Sequence, residues 1–223
     1  MGLKSSALIA VLCVALVAAA VSIALGAPSF RGYTGLVLIP TAETLNKGEY
    51  NFGLMTEDTS KFEANDIFAN YGPTDCLEIG FNSFQIRGAD TRETLINAKY
   101  QLMPETESKA GVAFGLIDLT NEVEATAYTV VSKSLARGVS VFDSDIINIR
   151  GHIGFGGGAL NGLFVGASAF AGNRVMFSAE WDSSDVNIGF RFTPVKGLRL
   201  HAAWFDVGSG DNIGLGVSYQ KTY

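Results

Sequence analysis

The sequence predicts an all-β fold, a single antiparallel up-and-down β-barrel of about twelve strands. Three observations lead there. Segments of roughly ten residues alternate apolar and polar side chains, the period-2 signature of a strand with two unlike faces. Clusters of Gly, Asn, Asp and Pro recur between these segments as turns. Composition agrees, with 26 Gly, 5 Pro and 11% aromatic residues in 223, a mix that suits many strands with tight crossings.

Residues 1–26 stand apart as a secretory leader. Lys4 supplies the positive start, residues 7–25 are almost wholly apolar, and Ala24-Leu25-Gly26 is a small-x-small cleavage site,. The expected organisation is therefore a cleaved signal peptide over 1–26, a segment over 27–46 lying in the periplasm or the lumen, and a barrel over 47–223. Loss of the leader removes one cation, so the formal net charge of -6 becomes more negative by one. A mildly acidic chain with scattered Lys and Arg argues against nucleic acid as a partner. The leader also takes Cys13, leaving Cys76 without an internal disulfide partner, so strand closure must supply the stability that bridges give other secreted chains.

Within residues 30–44 a short apolar run, Leu36 to Ile39, is stopped by Pro40, which cannot donate to a ladder,. That segment is expected to be a brief edge strand or to lie against the wall. Regular alternation begins near Lys47, with Tyr50, Phe52 and Leu54 on one face. A less regular strand spans 62–71, and Gly72-Pro73-Thr74 reads as a turn,. Strands follow around Ile79, Ile96, Phe114 and then 122–134, with polar 87–92 and Pro104 to Ser108 between the earlier ones. A longish turn is expected over 136–143. Beyond Asp145 the pattern is clearest: Ile147, Ile149, Ile153 and Phe155 oppose Asn148, Arg150, His152 and Gly154. Gly156-Gly157-Gly158 with Asn161-Gly162, Ala171-Gly172-Asn173, 182–185 and Pro194 to Gly197 punctuate four further strands,. The last strand, 212–223, carries Ile213, Leu215, Val217, Tyr219 and Tyr223 on one face, broken only by Lys221. It is expected to pair antiparallel with residues 47–56 and close the ring.

Alternation alone suits a water-soluble barrel as well as a membrane one. The polar faces here carry Gly, Asn, Ser and single charges, while the opposite faces carry Ile, Leu, Val, Phe and Trp. Strands of about ten residues match a tilted bilayer crossing of 9–11 better than the five or six of an average globular strand. Trp181, Trp204, Phe192 and Tyr219 fall near strand ends, where aromatic girdles sit. The expected location is the bacterial outer membrane, with outer-membrane lipid as a partner.

The terminal strand, ending on an aromatic residue, resembles the closing strand of outer-membrane barrels, which implies the barrel-assembly machinery as a partner for Leu215, Val217, Tyr219 and Tyr223. Gly35 to Glu43, with Pro40, Thr41 and Ala42 at its end, is followed by Lys47-Gly48-Glu49. It resembles the opening of YjbH-type outer-membrane proteins, and Val112 to Asp118 with Ala127-Tyr128 and Val131-Ser132-Lys133 is similar to that family's second block. The resemblance implies a part in exopolysaccharide export, with export components as partners. It brings no catalytic residues.

Chemistry is sparse. His152 and His201 lie on polar faces of different strands with no Cys or clustered carboxylate beside them, so no metal site and no cofactor are indicated,. A Ser-His-Asn lipid-modifying enzyme would need its site on the lipid face, while both histidines point inward, and no catalytic residue is assigned. Gly154 to Gly158 lacks the Lys-Ser/Thr and helix of a phosphate loop. What remains is a lumen set: Glu78, Lys99, Arg150, His152, Glu180, Arg191, Arg199 and His201. Charges there can line a water-filled path and select solutes, or pair with one another and fill the interior. The cations Lys99, Arg150, Arg191 and Arg199 against Glu78 and Glu180 lean toward anionic solutes. Two functions follow: a narrow pore or export component, and a non-conducting structural or adhesive barrel.

Overall fold

A computed structural model describes residues 26–141, 145–172 and 174–221. The leader, apart from Gly26, and Tyr223 lie outside the described residues. Twelve strands form one closed antiparallel barrel. In chain order they are β1 Tyr50–Asp58, β2 Glu63–Thr74, β3 Leu77–Ile86, β4 Glu93–Met103, β5 Gly111–Ile117 and β6 Thr126–Val141. They continue as β7 Asp145–Gly156, β8 Gly162–Ala171, β9 Val175–Trp181, β10 Val186–Val195, β11 Leu198–Trp204 and β12 Ile213–Lys221. Each strand pairs with its sequence neighbours, and β12 pairs with β1 in the register Tyr50↔Lys221 through Asp58↔Ile213. Closure leaves no free edge, so the ladders pair backbone groups all round the ring without water,.

The two faces are inverted relative to a water-soluble barrel. Phe52, Leu54, Ile79, Phe81, Leu215 and Val217 are exposed on the outside, while Asn51, Glu78, Asn97, Lys99, Arg191 and Gln220 are buried within. Connections at the end carrying Tyr50 and Lys221 (the proximal end) include the short links 75–76 and 196–197. Distal connections run longer, over 118–125 and 205–212. Tyr71, Tyr100 and Tyr219 stand exposed toward the proximal end and Trp181 and Trp204 toward the distal one.

Four expected boundaries move. Gly72-Pro73-Thr74 is the end of β2 rather than a turn, and the β2–β3 register shifts between Tyr71 and Thr74. Pro194 likewise lies within β10, beside a shift between Phe192 and Val195. A proline removes a ladder donor, and a bulge is where a ladder tolerates that loss. The strand expected over 122–134 starts only at Thr126, because Asp118 gathers the amides of Glu122, Val123 and Glu124 into a loop. It then runs through the expected turn at 136–143 as far as Val141, with register shifts around Ala136.

Residues 27–45 lie inside the barrel. Phe30, Val37, Ile39, Ala42 and Leu45 are buried there. Tyr33, Leu36 and Ile39 pack on Ala113, Tyr128, Val130 and Phe164, while Phe30 and Val37 pack on Met55, Phe68 and Phe205. The segment doubles back: Phe30 N donates to Val37 O at 2.9 Å and Leu36 N to Ile39 O at 2.9 Å. A Cβ on Gly26 would stand 2.9 Å from Thr44 O, so the segment's two ends lie together. Lys47 N donates to the Asp75 carboxylate at 3.0 Å, which places that exit at the proximal end.

Candidate functional site

The segment in the lumen has almost no ladder of its own, only isolated bridges at Pro28↔Thr34 and Gly35↔Pro40. Its peptide groups are out of water and need partners. The lumen side chains supply them, sorted by sign. Glu180 on β9 accepts from the amides of Val37 at 2.9 Å, Leu38 at 2.6 Å and Ile39 at 3.3 Å. Glu78 on β3 accepts from Thr34 N at 2.9 Å and Leu45 N at 3.0 Å. Cations meet the carbonyls. Lys99 Nζ donates to Thr34 O at 2.7 Å and Thr41 O at 3.3 Å, and Arg191 Nη2 donates to Pro28 O at 2.9 Å and Gly35 O at 3.3 Å.

The other predicted lumen residues complete the lining. Arg150 pairs with Glu43 of the segment, and with Glu105 at 2.8 Å. His152 hydrogen-bonds Ser132 at 2.8 Å and Ser168 at 3.3 Å, and Ser132 Oγ in turn accepts Ala42 N at 2.9 Å. His201 bonds Ser218 at 2.8 Å and meets the Phe30 ring edge-on at 6.3 Å. Arg199 donates to Gln220 at 2.9 Å. All eight are buried. Only Lys99 and Glu78 form an ion pair with each other, at 3.9 Å, and the space they share with Tyr33 and Tyr128 leaves no room for a water molecule. The lumen charges therefore neither line an open path at this level nor simply neutralise one another. Glu78, Lys99, Glu180 and Arg191 clamp backbone, and Arg150 holds the segment through Glu43.

The four motif residues shape the clamped segment. Gly35 and Pro40 form one of its two bridges, and a Cβ on Gly35 would run into the Ile39 carbonyl. Thr41 offers its carbonyl to Lys99. Ala42 donates to Ser132 and accepts from Gln101 Nε2 at 2.7 Å.

Sequence reading missed a second set, on the inward faces of β1, β2 and β3. Arg31 pairs with Glu57, and with Asp66 at 3.2 Å. Asn70 holds Gly32 O at 2.7 Å, and Asn82 holds Arg31 O at 2.8 Å. The signal was present in parity: Asp66 and Asn70 share the inward face of β2, and Asn82 follows Glu78 on that of β3. Nothing local in the sequence named Arg31 as their partner. Outside the strands, Glu105 is partly buried, which alone would raise its pKa. The Ser134 amide, at 2.9 Å, and Arg150 outweigh that and hold it below the ordinary glutamate value. Among the described residues no group of three or more His, Cys, Asp or Glu is placed to hold a metal ion.

No protein-family model matches this sequence, and no curated protein does. Among solved structures, the chain is similar to a KdgM porin, with a TM-score of 0.47 and 11% identity over 78% of this chain and 99% of that one. A KdgM porin in complex with disordered oligogalacturonate gives 0.46 at 11% identity over 78% and 99%. An outer-membrane channel from Pseudomonas putida gives 0.35 at 11% identity over 82% and 98%. Likeness at this level says nothing of what this chain carries.

Proposed function

We propose that the protein is an outer-membrane β-barrel that acts as a narrow channel closed by its own residues 27–45. The membrane assignment is supported by the apolar outer face, the polar interior, the closed edge and the aromatic residues toward both ends,. Channel function is supported by one observation above the rest. The interior invests buried charges in gripping a separate strap of chain, where a barrel of purely structural role could fill its core with apolar side chains of the wall itself. The strap contributes no strand to the wall, and hydrogen bonds and side-chain packing hold it as a separate element within the lumen.

Planar-bilayer recording tests this. The intact chain is expected to sit mostly closed, and deletion of residues 28–44 should give a steady, larger conductance. In that opened barrel Arg191→Glu should move the reversal potential toward cation preference, because Arg191 then faces water. A deletion variant that folds and still passes no current would sink the channel reading.

Export of an envelope polysaccharide, with export components as partners, is the finer form of this reading. It rests on the resemblance of residues 35–43 and 112–133 to YjbH-type proteins. The competing reading, a structural or adhesive barrel, draws its support from the filled lumen and the longer distal loops. The deletion experiment separates the two.

A further inference from the structure

A cavity of about 350 Å3 opens at the distal mouth, above the lumen segment. Its floor is Arg31, Tyr33 and Leu38, and its rim includes the loop residues Val123, Glu124 and Ser184. The inward face of the wall, polar below, turns apolar here: Phe84 and Ile86 continue the row of Glu78 and Asn82, and Leu95 continues that of Asn97 and Lys99. Such a volume falls at the lower end of the roughly 300–1,000 Å3 typical of small-molecule sites.

The charges are unbalanced. Asp118, Glu124 and Asp182 line the cavity with Arg31. Arg31 is already held by Glu57 and Asp66 and lies over the Phe84 ring at 5.3 Å. Asp118 accepts bonds within its own loop, and Asp182 accepts from its loop and from Asn187 on β10. Glu124 forms no ion pair among the described residues.

We propose that this cavity binds a small apolar molecule bearing a protonated amine. Its hydrocarbon or aromatic body fills the space between Leu38, Phe84, Leu95 and Leu160, and its ammonium group meets the carboxylates of the mouth on the Glu124 side. Amphiphilic anions are disfavoured by the three carboxylates, and neutral apolar molecules gain only the burial. This site does not depend on the channel reading, since a closed lumen still presents the cavity.

The test is titration calorimetry on the full-length protein in lipid nanodiscs, with empty nanodiscs subtracted. Three probes share one ring: 2-phenylethylammonium, 2-phenylethanol and 3-phenylpropionate. The ammonium should bind at least tenfold tighter than the carboxylate, with the alcohol between. Glu124→Gln should narrow the gap between ammonium and alcohol several-fold while leaving alcohol binding in place. Leu95→Trp should fill the cavity and abolish binding of all three, with heat-modifiable gel migration reporting that the barrel still folds. Should that variant fail to fold, Leu160→Phe provides the same block from the opposite wall. Equal affinity for ammonium and carboxylate, absence of ammonium binding, or ammonium binding untouched by both blocking variants overturns the proposal.

Discussion

Glu180 holds three successive amides, those of Val37, Leu38 and Ile39, with one carboxylate. Hydrogen bonds to a charged group are worth roughly 1.5–3 kcal/mol, and an orphaned buried donor costs a similar amount. Glu180→Ala should therefore loosen the segment by a few kcal/mol, read as lost hydrogen-exchange protection at Leu38 while strand amides stay protected. Equal loss across β9 and β10 would instead mark Glu180 as part of the wall. Asp118 makes a pH prediction at the same scale. Burial alone would raise its pKa, but the amides of Val123, Glu122 and Glu124 and the Thr120 hydroxyl outweigh that and lower it. A depressed folded pKa means that the contribution is present above the unfolded value near 3.9 and is lost as pH falls through the folded value. The loop 118–125 should thus hold its order at pH 5 and lose it only well below the ordinary aspartate value of about 3.9, followed by exchange at the Glu124 amide. Asp118→Asn should remove that pH dependence.

Among the elements, the lumen segment and the wall are separable. The segment's fold turns on Gly35, where any side chain collides with the Ile39 carbonyl across a tight reversal,. Gly35→Val should displace the segment, raising conductance while heat-modifiable migration stays normal. If migration is lost as well, segment and wall fold as one unit. The wall itself follows from period-2 patterning, and its deviations have local causes. Pro73 and Pro194 bring bulges instead of turns. Asp118 delays the start of β6 by drawing three amides into its loop. Propensity and turn composition read these places as breaks, because a proline at a bulge and a proline in a turn look alike in one dimension.

For the whole molecule, the outer belt decides the solvent. Val217 on β12, paired with Leu54 across the seam and with Leu200 on the other side, stands near mid-height and is exposed. Val217→Arg should cost roughly 2–4 kcal/mol of stability in a bilayer, measured as a lowered urea midpoint in liposomes. No such cost would argue that this face meets water. The closing strand contributes Leu215, Val217 and Tyr219 to this surface. Lys221, which broke its apolar row, sits with its ammonium 6.0 Å from the centre of the Tyr50 ring at the proximal end.

By itself the sequence determined the kind of barrel: about twelve strands, antiparallel neighbours, the seam between the first and last strands, and the alternation that turns polar residues inward. Each of these follows from local alternation and closure, properties that a short window of residues carries. The tertiary structure alone decided what the inward charges meet. Glu78, Lys99, Glu180 and Arg191 could be placed in the lumen from parity, yet their partners are backbone groups of residues 28–45, tens of positions away from Glu78 and far more from Arg191. Backbone amides and carbonyls look the same in every residue, so no sequence pattern marks which of them a distant charge will hold.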